Sequence, residues 1–252
     1  NKAPGYCYTR VGNPTITAFE NRITKLEGGI ASIACASGMA AIMNAFLNIL
    51  RSGDEIVSSA SLYGGTIDLE AFGITTRYVE NNNWDQIEGA INEHTRLVFA
   101  ETIGNPCLDV TDIEKLAEIA HSHELPLIVD NTTSTPYLIQ VLKHGADIVV
   151  NSSSKYINGS SNSISGILTD GGKFKWDKNK YPGMAEYAKF GPMAFIAKLR
   201  NGLFRNTGAC LSPVNAYLNI IGLETLGLRM ERQCNNAFEL AKWIEDNYSD
   251  II

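Results

Sequence analysis

The sequence predicts an α/β protein in which a mostly parallel sheet of about seven strands is flanked by helices. Short runs of Val, Ile and Leu, typical of strands buried on both faces, alternate along the chain with longer segments of helical hydrophobic period. Gly, Pro, Asn and Asp separate these segments, as expected for short connecting loops. This alternation favours parallel pairing of the strands through right-handed crossovers.

The seven predicted strands follow from the apolar runs. They cover residues 30–35, 55–58, 73–79, 95–101, 125–130, 147–150 and 164–169. Helices are predicted at 15–27, 38–50, 84–91, 136–143, 193–204 and 213–221, with a short one after residue 66, another from a capping-box pattern at 111–114, and a long final one. The segment 171–190 has no clear period, so we expect a loop that borders a site or an interface.

Local signals set several of the helix boundaries. Thr15 is a candidate N-cap for the first helix, which Gly28 and Gly29 end. The pattern Thr111-x-x-Glu114 has the spacing of a capping box. Two helices have apolar residues in register on one face, and these are Ile113, Leu116, Ala117 and Ala120 in one and Ala237, Leu240, Ala241 and Ile244 in the other. We interpret His121 and His123 as surface residues near a helix end and not as ligands.

Composition excludes some classes of function. The 252 residues suffice for one large domain, or for one domain and part of a second. With 21 Lys and Arg against 27 Asp and Glu, the net charge is −6, which argues against nucleic acid as the main partner. Since no apolar run approaches the roughly 18 residues of a membrane span, and no signal peptide opens the chain, we expect a cytoplasmic protein without membrane contact.

The cysteines and the chain ends complete this picture. The five cysteines are odd in number and form no CxxC pair, so we expect reduced thiols and neither a disulfide framework nor a zinc site. They are Cys7, Cys35, Cys107, Cys210 and Cys234. The sequence starts without Met and stops just after a long helix, and we expect it to be a fragment of a longer protein.

The most informative stretch is 147–156, where a buried strand is followed by hydroxyl residues and a single lysine, Lys155. Open α/β sheets place their ligands at the carboxyl ends of their strands. A primary amine at that edge can form a Schiff base with a carbonyl cofactor, and the hydroxyls of Ser152 and Ser154 can bind its phosphate. The alternative is an ordinary surface lysine in a polar loop.

Other polar residues follow predicted strands in the same way. Ser37, Gly38 and Met39 open a helix whose free backbone N–H groups and dipole can bind a phosphate, although many such joins use glycine only for a turn. Asp130 ends a fully apolar run, which favours a place at the ligand edge over an unpaired buried charge, the alternative being a cap for the following loop. Tyr63 lies beyond another strand, where it can stack on a flat ligand or pack under a loop.

Taken together, these residues suit pyridoxal 5'-phosphate. Lys155 can form the imine, Asp130 can keep the pyridine nitrogen protonated, Tyr63 can cover the ring and Asn105 can donate to a ring substituent. The hydroxyls and the helix N-terminus named above can bind the phosphate. The predicted catalytic residues are Lys155, Tyr63 and Asp130.

Motifs that run through almost the whole chain resemble the Cys/Met-metabolism family of pyridoxal-phosphate enzymes. In order, they are Tyr8-Thr9-Arg10-x-x-Asn13-Pro14-Thr15, Ser37-Gly38-Met39-Ala40-Ala41, Tyr63-Gly64-Gly65-Thr66, Glu101-Thr102-x-x-Asn105-Pro106, Asp130-Asn131-Thr132-x-x-x-Pro136, Ser152-x-Ser154-Lys155-Tyr156 and the 222–232 segment. Each motif alone is weak, but the set in family order is specific. Within the family, the segments 171–176 and 194–213 most resemble the O-acetylhomoserine sulfhydrylases.

The resemblance implies a fold like that of aspartate aminotransferase (fold type I) and a homotetramer built from catalytic dimers. It divides the chain into an N-terminal arm (1–12), a cofactor-binding large domain (13–222) and the truncated start of a C-terminal domain (223–252). Tyr8 and Arg10 of the arm would reach the cofactor phosphate of the neighbouring subunit, a task that suits the bidentate guanidinium. Without the motif, a disordered terminus would be the default expectation for this arm.

Three positions depart from the family pattern. Asn151 and Ser160 stand where the family often has His, and Ser154 replaces a common Thr while keeping the hydroxyl. The arginine that the family uses for the substrate's α-carboxylate belongs to a C-terminal region outside this sequence.

The resemblance implies γ-replacement on an O-acylated homoserine, with sulfide or a small thiol as the second substrate and homocysteine or methionine as the product. The alternatives are a γ-elimination of the methionine γ-lyase or cystathionine type, cystathionine γ-synthase chemistry, and a non-catalytic relative. Methionine γ-lyases tend to carry a cysteine where this chain has Gly65, which argues against that alternative. A nicotinamide dehydrogenase is excluded because no GxGxxG follows the first strand.

Overall fold

A computed structural model of the chain describes residues 5–63 and 69–249. Its centre is a seven-stranded sheet with the order β1-β7-β6-β5-β4-β2-β3. The strands are β1 (Ala31–Cys35), β2 (Glu55–Ser59), β3 (Thr75–Val79), β4 (Thr95–Glu101), β5 (Leu127–Asp130), β6 (Ile148–Asn151) and β7 (Gly166–Asp170). Strands β3, β2, β4, β5 and β6 pair in parallel, and β7 runs antiparallel to both β6 and β1. The predicted mostly parallel sheet of about seven strands is therefore confirmed.

Nine α-helices occur in the described ranges. They are α1 (Pro14–Glu27), α2 (Gly38–Ile49), α3 (Trp84–Ala90), α4 (Ile113–Ser122), α5 (Thr135–Leu138), α6 (Ala194–Asn201), α7 (Leu203–Thr207), α8 (Pro213–Leu223) and α9 (Leu226–Tyr248). Short 3₁₀ segments lie at Glu70–Phe72, Val141–Lys143 and Pro182–Met193. Two predicted helices are each divided in two: 136–143 becomes α5 and a 3₁₀ turn, and 193–204 breaks at Gly202 into α6 and α7.

Two predicted N-caps were wrong. The first helix begins at Pro14, and its cap is Asn13, whose side chain accepts a hydrogen bond from the Thr15 backbone N–H. The cap of α4 is Asp112, which accepts from the Lys115 N–H. Thr111 instead directs its hydroxyl to the Glu101 carbonyl oxygen, to which it donates at 2.7 Å. At the other end of α1, Gly28 has a left-handed φ of 74° and ends the helix as predicted.

Both faces of the sheet are buried under helices. On one face, α2 and α6 pack on the sheet with a core that includes Phe46 and Phe99, whose rings meet edge to face at 5.0 Å between centroids. On the other face, the predicted apolar stripe of α4 is fully buried against the sheet. Burial of this kind contributes roughly 1.5–3 kcal/mol per large aliphatic or aromatic side chain, so the sheet holds its strand ends in fixed positions.

The irregular segment 171–190 does not border the predicted ligand site. Its aromatic side chains fold back onto α6, where the Trp176 ring stacks on Phe195 at 5.7 Å between centroids. Its first part borders a surface depression at the amino end of β6, next to His121 and Asp147. There His121 Nε2 lies 2.8 Å from a carboxylate oxygen of Asp147, and this hydrogen bond raises the pKa of His121. His121 is therefore a structural partner that ties α4 to β6, in addition to lying near the helix end.

The long helix α9 forms as predicted, but its predicted apolar face is largely exposed. Leu240 is 57% exposed, whereas only Leu226 and Met230 of this helix are buried. None of the helices in the described ranges combines the length and the hydropathy that crossing a membrane requires.

Candidate active site

The carboxyl ends of the parallel strands border one cavity of about 190 Å³. Register places Glu101, the last residue of β4, beside Asp130, the last residue of β5. Most of the predicted site residues line this cavity, and they are Ser37, Gly38, Met39, Tyr63, Asn105, Asp130, Ser152, Ser154 and Lys155. Side chains from five separate segments of the chain therefore meet at the sheet edge where ligands of open α/β sheets bind.

The start of α2 forms one wall of the cavity. Ser37 has extended backbone dihedrals, and its hydroxyl caps the helix by accepting a hydrogen bond from the Ala40 N–H at 3.0 Å. The N–H groups of Gly38 and Met39 lie in the first turn, where the helix itself supplies no acceptor, so they can bind an anion. A Cβ on Gly38 would lie 2.6 Å from Ser152 Cβ, so only glycine allows this approach of helix and serine loop.

A second glycine fixes the same wall from behind. A Cβ on Gly166, at the start of β7, would lie 2.0 Å from the Ser37 carbonyl oxygen. Because the contact joins two backbone segments, the start of α2 can move away only if the surrounding packing is disturbed. The position of the candidate phosphate cradle thus depends on two close backbone approaches.

The two serines before Lys155 have different surroundings. The Ser154 hydroxyl donates to the Ser165 carbonyl oxygen at 2.9 Å and accepts from the Ser165 N–H at 2.8 Å. The Ser152 hydroxyl faces Gly38, and its backbone N–H donates to Thr132 Oγ1 at 2.7 Å. Of the two hydroxyls, that of Ser152 is the better placed to donate to a ligand, whereas that of Ser154 holds the loop.

Lys155 extends from the turn that follows β6. Its backbone N–H donates to the Ser152 carbonyl oxygen at 3.1 Å, and its own carbonyl oxygen accepts from the Gly159 N–H at 2.8 Å. These bonds fix the lysine backbone, while its side chain lines the cavity. Within the described part of the chain, its ammonium group forms no ion pair.

Asp130 is the buried acid of the site. One of its carboxylate oxygens accepts from the Thr132 N–H at 2.8 Å. Burial raises the pKa of its carboxyl group, and the hydrogen bonds from Thr132 only partly oppose this. A buried acid of this kind gains strongly from a cationic partner, such as a protonated ring nitrogen.

Glu101 is a cavity residue that the sequence reasoning did not assign to the site. Burial, together with the nearby charges of Asp130 and Asp109, raises its pKa to about 7. Its carboxylate accepts a hydrogen bond from the Tyr63 backbone N–H at 2.8 Å. This bond anchors the backbone of Tyr63, whose side chain lines the cavity and is exposed. Glu101 carries the same sequence signal as Asp130, because each is an acid that ends an apolar strand.

Four more cavity residues were missed, namely Ile42, Thr132, Thr133 and Ile164. The predicted motif residues Gly64, Gly65 and Thr66 lie outside the described residues. Tyr8 and Arg10 do not line the cavity of their own chain. The Arg10 guanidinium donates to the Arg205 carbonyl oxygen and lies 5.1 Å from the centroid of the Tyr8 ring.

The chain is similar to known proteins over most of its length. A family model described as Cys/Met metabolism PLP-dependent enzyme matches residues 1–250. The chain is 42% identical to an O-acetyl-L-homoserine sulfhydrylase of Leptospira meyeri, over 96% of this chain and 60% of that protein. It is 41% identical to an L-methionine gamma-lyase of Fusobacterium nucleatum, over 95% of this chain and 57% of that protein.

A solved structure adds a cofactor to the comparison. The fold is similar to that of an O-acetylhomoserine (thiol)-lyase from Campylobacter jejuni, with a TM-score of 0.90 and 33% identity over 98% of this chain and 65% of that one. That crystal structure contains N'-pyridoxyl-lysine-5'-monophosphate. The chain spans about three-fifths of the length of the curated relatives that it matches.

Proposed function

The chain belongs to the Cys/Met-metabolism family of pyridoxal-phosphate-dependent enzymes, and we propose that its protein catalyses γ-replacement on an O-acylated homoserine, with O-acetyl-L-homoserine as the preferred ester. Sulfide or a small thiol is the second substrate, and homocysteine or methionine is the product. The observation that supports this most is the joint presence of Lys155 and Asp130 in one cavity with a helix N-terminus. Relatives named sulfhydrylases at about 42% identity support the choice of reaction.

The cavity residues fit pyridoxal phosphate. The N–H groups of Gly38 and Met39, with the hydroxyls of Ser37 and Ser152, suit its phosphate, because glycine lets the backbone approach and the helix dipole favours an anion. Ser154 supports this group by holding its loop. In this assignment, the phosphate binds at the wall formed by the start of α2 and the serine loop.

The ring is assigned to the opposite wall. The Asp130 carboxylate would pair with the ring nitrogen, Tyr63 would cover one ring face and Asn105 would donate to a ring substituent. When bound, pyridoxal phosphate serves as an electron sink for negative charge at the substrate's α-carbon. Asp130 contributes by keeping the ring nitrogen positively charged, and burial of its carboxylate strengthens that pairing.

Lys155 has two roles in the proposal. Its Nζ would hold the aldehyde carbon of the cofactor covalently and would give up this bond to a substrate amine. Its Nζ then accepts the proton from the substrate's α-carbon and serves as the carrier for the later proton shift at the β-carbon. Acetate leaves from the γ-carbon, and the sulfur of the second substrate bonds there, so O-acetylhomoserine and hydrogen sulfide give homocysteine and acetic acid.

The remaining assignments concern the assembly. We propose a cytoplasmic homotetramer of catalytic dimers in which Tyr8 and Arg10 of the arm (1–12) bind the phosphate in the neighbouring subunit. The large domain (13–222) carries the cofactor site, and 223–252 starts the C-terminal domain. The exposed Tyr8 side chain and the absence of Arg10 from its own chain's cavity are compatible with a role in the neighbouring subunit.

The assay that tests the reaction uses the purified protein expressed from its complete gene. With O-acetyl-L-homoserine and sulfide, we expect homocysteine and acetate in equal amounts. A second candidate function, γ-elimination, is favoured by the 41% identity to a methionine γ-lyase. That function predicts 2-oxobutanoate from methionine without sulfide, and cystathionine from added cysteine would indicate cystathionine γ-synthase. An absence of homocysteine would reject the proposed reaction.

Replacing Gly38 with alanine tests the phosphate wall. The new Cβ would lie 2.6 Å from Ser152 Cβ and 3.0 Å from Ser152 Cα, so helix and loop must separate. We expect a dissociation constant for pyridoxal phosphate at least about tenfold higher, equivalent to about 1.4 kcal/mol, as measured by titration of the apoprotein. Gly89→Ala is the matched control, because a Cβ there meets nothing within 4 Å. An unchanged dissociation constant in G38A would show that the phosphate does not bind at this wall.

A further inference from the structure

Glu27 is a buried acid outside the cavity. It is the last residue of α1, and its side chain is completely buried. A carboxylate is disfavoured at a helix C-terminus because the carbonyl groups there carry partial negative charge. Burial of an unpaired charge adds to this cost. Position and burial therefore both favour the neutral form of this side chain.

The partners of Glu27 are two asparagines. Asn151 Nδ2 donates to Glu27 Oε1 at 2.7 Å, and the nearby Asn131 side-chain amide is the second group that lowers the pKa of this carboxyl group. Both asparagines are buried, with exposures of 1% and 0% respectively. Burial raises the pKa of Glu27 to about 7, opposed only by these two amides and by no charged group. The other buried acids of the sheet, such as Asp130 and Asp170, are not among the causes.

A count of donors and acceptors indicates where the proton lies. Glu27 Oε2, Asn131 Oδ1 and Asn151 Oδ1 are buried oxygens without a hydrogen-bond partner among the described residues. Asn131 Nδ2 donates to the Ile139 carbonyl oxygen at 3.0 Å and Asn151 Nδ2 donates to Glu27 Oε1, and the second N–H of neither amide reaches these three oxygens. Buried acceptors without donors are rare and costly. A proton on Oε2 supplies a donor, whereas an ionised carboxylate leaves three acceptors together.

The two asparagines adjoin the cofactor residues. Asn131 follows Asp130 directly, and Asn151 directly precedes Ser152. A backbone hydrogen bond also joins the two segments, in which the Asn131 N–H donates to the Val150 carbonyl oxygen at 2.9 Å. We propose that protonated Glu27 is a positioning residue that joins Asn131 to Asn151. It thereby fixes Asp130, the acid assigned to the ring nitrogen, relative to Ser152, which is assigned to the phosphate. This inference rests on the proposed function, since it assigns Glu27 a part in binding the cofactor.

The proposal implies a pH dependence with a definite sign. The folded-state pKa of Glu27 lies above the ordinary value of 4.5, so its stabilising effect is complete below pH 4.5 and is lost as pH rises to about 7. Glu27→Gln retains a donor and an acceptor without an ionisable group. We expect the urea midpoint of this variant to fall less steeply over this range, by the equivalent of about one proton. Glu101 and Asp170 have raised pKa values as well, but they contribute equally in both proteins.

Cofactor affinity distinguishes positioning from stability alone. At pH 6 we expect E27Q to bind pyridoxal phosphate about as well as the wild type does, and Glu27→Leu to bind it at least about tenfold less tightly. Between pH 6 and pH 9, the wild-type dissociation constant should rise about tenfold relative to that of E27Q, because only the wild type ionises. Glu239→Gln, an exposed change on α9, is the control and should track the wild type.

A third variant tests the role of Asn151. Asn151→His places a group beside Glu27 that can become a cation, so the carboxylate can ionise and the extra pH dependence relative to E27Q should disappear. Equal affinity of wild type and E27L, or a ratio of wild type to E27Q that stays constant with pH, would overturn the inference. Failure of the wild type itself to bind pyridoxal phosphate would overturn the proposed function instead.

Discussion

Replacing Lys155 with alanine is expected to lower kcat for homocysteine formation by about 10³-fold or more. In the proposed function, this variant would lose both the covalent bond to the cofactor's aldehyde carbon and the amine that moves the α-proton. Lys155→Arg keeps the positive charge at the same position, but a guanidinium stays protonated at any working pH and cannot act as nucleophile or base. We therefore expect K155R to be as inactive as K155A.

The measurement is steady-state homocysteine formation together with the visible absorbance of the protein-bound cofactor. Lys178→Ala, a change in the exposed loop that follows β7, is the matched control and should retain wild-type values for both. Fluorescence quenching by added pyridoxal phosphate would show that K155A still binds the cofactor non-covalently. Activity of K155A within tenfold of the wild type would exclude Lys155 as the catalytic amine.

Replacing Asp130 with asparagine is expected to lower kcat by about 10²–10³-fold, the usual effect of removing one preorganised charge from a reacting centre. The amide oxygen can still accept the Thr132 N–H, which spans 2.8 Å in the native site, so the loop should keep its shape. In the proposed function, the change would remove the negative charge that keeps the ring nitrogen protonated. The loss should therefore appear in kcat, with a much smaller change in cofactor affinity.

Two further variants serve as controls for the kcat of D130N. Asp246→Asn on the exposed side of α9 removes one negative charge far from the cavity and should leave kcat unchanged. Asp130→Glu keeps the charge, but its longer side chain enters a buried site, so we expect partial activity above that of D130N. A kcat for D130N close to the wild-type value would mean that the ring nitrogen has another partner, and Glu101 would be the first to examine.

The sheet and the cavity were predictable because they depend on local patterns. Apolar runs that end in Asp130 or in the residues before Lys155 predict buried parallel strands. They also predict that ligands bind at the carboxyl ends of these strands. Glu101 follows the same rule, since it ends β4 beside Asp130 at the end of β5. The Asn13 cap also had a local signal, since proline is favoured in the first turn of a helix and Pro14 follows directly.

Other features depend on contacts that no local pattern reveals. Thr111 has the spacing of a capping box, yet its hydroxyl is held by the Glu101 carbonyl oxygen of another element. Glu27 reads as an ordinary polar residue at the end of a surface helix, but the folded chain buries it against amides from two strand ends. The different surroundings of the Ser152 and Ser154 hydroxyls depend on Ser165, eleven residues further along the chain. Such tertiary hydrogen bonds decide the fine structure of the site.

In the proposed site, one amine and one acid at the same sheet edge hold a single pyridoxal phosphate. Reduction of the purified protein with borohydride, followed by proteolysis and mass mapping of the pyridoxyl adduct, identifies the lysine that binds the cofactor. We expect one adduct, on the peptide that contains Lys155, and its loss in K155A. An unmodified Lys155 peptide in reduced, cofactor-saturated protein, or an adduct on a different lysine, would contradict it.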